Sequence, residues 1–82
     1  MSESEVTAKL KKLFSDMFDV PEDEISDDSS PDTIEKWDSF QYVMFISATE
    51  ETFNISFTAD EIAEIITFGS VKDLTIKYAT NR

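Results

Sequence analysis

The chain contains no cysteine and no histidine, a single glycine at Gly69, and only seven lysines and arginines against eighteen aspartates and glutamates. Without histidine or cysteine there is no His-based catalytic triad, no thiol nucleophile, no thiolate zinc site and no disulfide framework. Any chemistry therefore falls to hydroxyls, carboxylates or a group added after synthesis, and no catalytic activity of its own is expected. The scarcity of bases leaves a net charge of −11 and a pI near 4.1. That argues against direct binding of nucleic acid or anionic lipid, both of which reward Lys and Arg. A basic protein partner suits it better. No apolar run approaches membrane-spanning length. The start, Met1-Ser2-Glu3-Ser4-Glu5, lacks the basic and apolar regions of a signal peptide, and Ala79-Thr80-Asn81-Arg82 is not a lipidation box. A cytoplasmic monomer without stable membrane insertion is the expectation. At 82 residues there is room for one domain over 1–82, in which about 60–65% of the unfolded surface is buried, leaving little space for a large internal cleft.

The apolar positions that are present fall into helical registers. Val6, Leu10, Leu13, Phe14, Met17 and Phe18 recur at spacings of three and four, with Ser2 and Glu5 forming a capping box, so a first helix is expected over about 3–18, ended by Pro21. Residues 19–38 lose that periodicity and become a long polar loop, with Ile25 as the expected anchor into the core. Asp38-Ser39-Phe40-Gln41 reads as a helix start, giving a second helix over 39–53 that Asn54 stops. Thr58-Ala59-Asp60-Glu61 is a further capping box, predicting a short third helix over 58–66 broken by Gly69. Ser70 and Asp73 open a last helix over 70–80, with Val71, Leu74 and Tyr78 on one stripe. Ile55-Ser56-Phe57 alternates like a strand, but three residues without a pairing partner make no sheet. The expected fold is all-α, with four helices, a long connection between the first two and a short third.

The charge is unevenly placed. Residues 1–18 balance to zero, residues 19–38 are net −8, residues 39–68 net −5 and the last fourteen net +2. A calcium loop is excluded among Asp23, Asp27, Asp28 and Asp32, because the alternating ligand spacing, the central glycine and the closing glutamate of an EF-hand are missing; no metal site is expected.

The second helix carries two apolar stripes. Tyr42, Phe45, Ile46, Thr49 and Phe53 run its full length and are assigned to the core; Phe40, Val43, Met44 and Ser47 form another, rotated about the axis. A domain this small buries one such stripe well, so the second is expected to stay partly exposed beside Ser39 as a docking surface.

Asp38-Ser39-Phe40 at the head of the second of four helices, after an amphipathic helix and a long acidic loop, resembles the Asp-Ser-Leu site of acyl carrier proteins. Glu50-Glu51-Thr52-Phe53, Ile55-Ser56-Phe57 and Thr67-Phe68-Gly69-Ser70 extend the likeness over nearly the whole chain, and it implies an acyl-carrier-like four-helix bundle. The resemblance implies that Ser39 is the attachment point for covalent phosphopantetheine, taken from coenzyme A, with Asp38 and Phe40 flanking it and Asp38 helping a transferase place the serine. It implies a role in lipid or fatty acid biosynthesis, holding acyl intermediates as thioesters. Implied partners are a phosphopantetheinyl transferase and acyl-loading, acyl-transfer or condensing enzymes with basic patches. Lys36, Trp37, Phe40 and Gln41 depart from the family's small residue, leucine and acid around the site, which favours a carrier dedicated to one pathway. Docking is expected at Glu35, Trp37, Phe40, Gln41, Val43, Met44, Ser47, Glu50, Glu51, Asp60, Glu61 and Glu64, the acids speeding association and the apolar positions selecting the partner. Two other readings share parts of this pattern: an aminoacyl or peptidyl carrier with the same modified serine, and an acidic adaptor that docks a basic partner through the second helix with Ser39 unmodified.

Overall fold

A computed structural model describes residues 2–30, 32, 34 and 37–80, with the backbone alone for Ser39. Four helices are found among them: α1 (Glu3–Phe18), α2 (Ser39–Phe53), α3 (Ala59–Glu64) and α4 (Phe68–Thr80), and no strand is present among the described residues. The all-α expectation holds.

Each boundary has a local cause. Ser2 caps α1 by accepting the Glu5 amide on its hydroxyl at 3.2 Å, and that hydroxyl donates to the Glu5 carboxylate at 3.1 Å. Asp19 ends α1 in the left-handed region with its amide on the Ser15 carbonyl, and Asn54 ends α2 in the same conformation with its amide on that of Glu50. Both residue types accept positive φ more readily than most.

Burial on α1 follows one face: Val6, Leu10, Phe14 and Phe18 are all buried. Phe14 is the hub of the core. Its ring lies 4.4 Å from Phe18, 5.4 Å from Trp37, 5.3 Å from Phe45 and 5.2 Å from Phe68, the last three edge-on. One side chain thus ties together α1, the loop, α2 and α4 through the edge-to-face geometry that aromatic quadrupoles favour. Buried Thr49 and Thr75 return their hydroxyls to carbonyls one turn earlier, those of Phe45 and Val71. No buried side-chain polar atom among the described residues lacks a partner.

The long loop is pinned as its length demanded. Ile25 is buried as expected, and so is Ile34. A single 3-10 turn spans Glu22–Glu24. Further on, the Phe68 amide donates to the Ser29 carbonyl at 2.8 Å, the Gly69 amide to that of Asp27 at 2.9 Å, and the Lys72 ammonium to the Asp27 carboxylate at 2.7 Å. The loop is therefore stitched to the start of α4.

Two expectations about that region are corrected. Gly69 does not break α3; it is the second residue of α4, and α3 stops at Glu64. Its lack of a side chain serves close packing, since a Cβ there would sit 2.9 Å from the Asp27 carbonyl oxygen. The cap of α4 is Thr67 rather than Ser70: its hydroxyl accepts the Ser70 amide at 3.1 Å. A capping residue placed three positions earlier lets α4 begin at Phe68, which brings that ring into the core.

Candidate functional site

Asp38 builds the head of α2. In extended conformation, it accepts the Gln41 amide on its carboxylate at 2.8 Å, and its carbonyl takes the Tyr42 amide at 2.9 Å as the first bond of the helix. A helix start leaves its first amides without a carbonyl one turn earlier, and the dipole adds positive potential there. Ser39 is the first residue of α2, and its neighbours Asp38 and Phe40 are both exposed. A hydroxyl-bearing residue at an accessible, amide-rich helix start is suited to take a phosphate ester.

The two stripes of α2 separate as the spacing predicts. Phe45, Ile46, Thr49 and Phe53 are buried and Tyr42 half-buried, whereas Phe40, Val43 and Met44 are 71%, 61% and 45% exposed, with Ser47 exposed beside them. Three large apolar side chains left in water along one helix face form a patch that other parts of the fold do not cover.

Of the remaining expected docking residues, Glu51, Asp60 and Glu64 are exposed and Gln41 partly so. Glu35 lies outside the described residues. Trp37 is a correction: it is 5% exposed, its ring edge-on to Phe14, tilted on Phe18 and stacked over Tyr42 at 6.4 Å. An indole so enclosed holds the end of the loop against the core and offers its face to no partner.

Two of the expected docking carboxylates, Glu50 and Glu61, are engaged within the fold. Glu50 accepts the Phe57 amide at 2.7 Å, drawing the segment after α2 back onto that helix. Glu61 accepts the Thr58 amide at 2.9 Å and the Tyr78 hydroxyl at 2.5 Å, closing the capping box of α3 and joining it to α4. The Thr58 amide, followed by the Tyr78 hydroxyl, holds the Glu61 carboxyl below its ordinary range, and the same contact pushes the Tyr78 phenol up.

The spacing of apolar residues missed other contributors. Tyr42 bridges to α3, its hydroxyl on the Ile62 carbonyl at 2.5 Å, and Ile66, assigned to a third helix, lies beyond α3 and is exposed. Ile62, Ile65 and Ile66 keep a helical spacing past Glu64, the last residue of α3.

The bundle and its α2 head together describe a small helical carrier domain. Residues 8–75 match the family described as "Phosphopantetheine attachment site", and the chain belongs to that family. It is a carrier protein whose prosthetic group is covalent phosphopantetheine, and such carriers work with a phosphopantetheinyl transferase and partner enzymes. A search of curated proteins found no match. The described residues fit the group: the head of α2 is accessible and its amides and dipole suit a phosphodiester. No helix among the described residues is long and apolar enough to cross a membrane.

Proposed function

We propose that Ser39 is the attachment residue and that the chain carries acyl intermediates as thioesters for one dedicated pathway of lipid or fatty acid biosynthesis in the cytoplasm. The observation that carries this reading is the Asp38-Ser39-Phe40 run at the exposed, capped head of α2, within a chain of the phosphopantetheine family. In the loading step the Ser39 hydroxyl oxygen bonds to the phosphate bearing the pantetheine. The bond from that phosphate to the nucleotide half of coenzyme A breaks, and the hydroxyl proton passes to the transferase.

Once attached, the arm supplies the thiol that the chain lacks. The chain's own residues present it. Asp38 caps and orients the helix start, and Phe40, Val43 and Met44 offer apolar contact beside the arm. Exposed Glu51, Asp60 and Glu64 draw basic patches of partner enzymes, raising association rates more than affinity. Fast, weak complexes suit a protein that must visit several enzymes and leave each.

Incubation of the unmodified protein with coenzyme A and a broad-specificity phosphopantetheinyl transferase should add the mass of the arm, and Ser39→Ala should abolish the addition. Addition that persists in Ser39→Ala would place the arm elsewhere. Absence of addition to the native sequence, with no thiol on protein isolated from its host, would favour the adaptor reading. Identifying the thioester on isolated protein assigns the cargo, and an aminoacyl or peptidyl group there would replace the acyl reading.

A further inference from the structure

Helix α3 is the most weakly built element of the bundle. It has six residues, none fully buried, and a helix that short does not persist on its own hydrogen bonds in water. Contacts from its neighbours fasten both ends. At the start, the Thr58–Glu61 box is joined by the Tyr78 hydroxyl. At the finish, the Ile62 carbonyl takes the Ile65 amide at 3.3 Å and also the Tyr42 hydroxyl at 2.5 Å. Tyr42 lies three residues after Ser39, one turn further along α2. Its ring is stacked on Trp37 with the planes 17° apart, and one turn deeper Phe45 and Ile46 are buried.

We propose that Tyr42 decides where the cargo lies: it bars the seam between α2 and α3, so that a chain on the arm at Ser39 stays outside the bundle, and the carrier suits short or polar acyl groups. This rests on the attachment of the arm at Ser39. For an aliphatic chain to enter between α2 and α3, the Tyr42 ring must leave Trp37 and its hydroxyl must leave the Ile62 carbonyl, uncapping α3 at that end. Behind it, Phe14 and Phe45 pack edge-on, and a close-packed interior resists added volume. Outside, each methylene of a long chain remains in water, a penalty that short or polar groups escape. Desolvation raises the Tyr42 phenol above its ordinary value, so the hydroxyl remains a donor at neutral pH.

The test exploits the absence of cysteine, which makes the arm's thiol the only one in the loaded protein. That thiol is acylated chemically with acetyl or octanoyl groups, and each thioester is consumed with hydroxylamine. In the native sequence the two rates should agree within about twofold, whereas Tyr42→Ala should slow octanoyl relative to acetyl by about fivefold or more, since burying even a few methylenes is worth that much. Tyr42→Phe, which keeps the ring, should protect less than Tyr42→Ala. Octanoyl protection of about fivefold in the native sequence, or equal rates in folded Tyr42→Ala protein, would overturn the proposal. Should Tyr42→Ala lose its helical circular dichroism, amide NMR shifts of Phe45, Ile46 and Ile62 in the native sequence still decide. No difference between acetyl and octanoyl forms supports the bar, and displacement of all three overturns it. Failure to load the arm, or loading that survives Ser39→Ala, would refute the attachment reading instead.

Discussion

Replacing Gly69 with alanine sets two effects of opposite sign against each other. In an unobstructed helix the change stabilises, by about 0.5–1 kcal/mol, because glycine loses more backbone freedom on folding. Gly69 has no positive φ that alanine would find strained. Packing, however, opposes the methyl group. A Cβ at this position meets the Asp27 carbonyl oxygen at 2.9 Å, its Cβ at 3.0 Å and its Cα at 3.3 Å. Two of those atoms are backbone, so relief requires the loop itself to move. The loop is held there by the Gly69 amide on the Asp27 carbonyl at 2.9 Å and the Phe68 amide on that of Ser29 at 2.8 Å.

Stretching or losing these bonds costs about 1 kcal/mol each, and overpacking adds about 1–3 kcal/mol. The Lys72–Asp27 pair adds little, because Asp27 is largely exposed. With the helix gain subtracted, Gly69→Ala should destabilise the fold by about 2–4.5 kcal/mol, lowering the melting temperature by roughly 8–36 °C in a domain of this size. Urea and thermal denaturation followed by circular dichroism measure it. A variant as stable as the native sequence, or more so, would refute the close-packing argument and leave Gly69 as an ordinary helix residue.

Phe53→Ala should cost about 3–5 kcal/mol because its side chain is 5% exposed, whereas Phe40→Ala should change stability by no more than about 0.5 kcal/mol; equal losses in urea titrations would undo the division of α2 into a core stripe and a surface stripe. Glu61, its carboxyl held down by the Thr58 amide and the Tyr78 hydroxyl, gives stability that is present above the ordinary carboxylate range and lost as pH falls through its lowered value. The stability gap between the native sequence and Glu61→Gln should therefore narrow on acidification, and a gap independent of pH would show that the carboxylate charge is not what matters. Both tyrosines of the chain have phenols raised above the ordinary value of 10.0, Tyr42 by burial and Tyr78 by Glu61. Ultraviolet titration should find their midpoints above that of free tyrosine, with α3 loosening as pH rises through them; midpoints at the free value would contradict the burial of Tyr42 and the Tyr78–Glu61 bond.

Helix content was legible wherever the signal was local. The Ser2 cap of α1, the Thr58–Glu61 box, the apolar face of α1 and Asn54 at the end of α2 each act within one turn, and each is found where the spacing predicts it. Gly69 misled because a glycine near a helix boundary is most economically read as a terminator. Its actual constraint comes from Asp27, more than forty residues earlier in the chain. No periodicity reports a contact of that separation. Likewise Thr67 and Ser70 are both competent caps, and the choice between them is made by the burial of Phe68, which needs the helix to begin three residues sooner.

The site shows the same division between what a residue type permits and what its surroundings require. The exposure of Phe40, Val43 and Met44 followed from helix geometry plus the small size of the domain. Trp37 is near Ser39 in sequence, yet its indole packs against Phe14 and Phe18 of α1 rather than on that surface. Carboxylates were counted as one field, but Glu50 and Glu61 take backbone amides inside the fold while Glu51, Asp60 and Glu64 face water. A charge already bonded to an amide is less free to reorient toward a partner, and removing it also costs the structure a hydrogen bond. The acidity of α2 and α3 therefore does two separable things: Glu50 and Glu61 shape the helices that frame the head of α2, and the exposed three remain available to a basic surface.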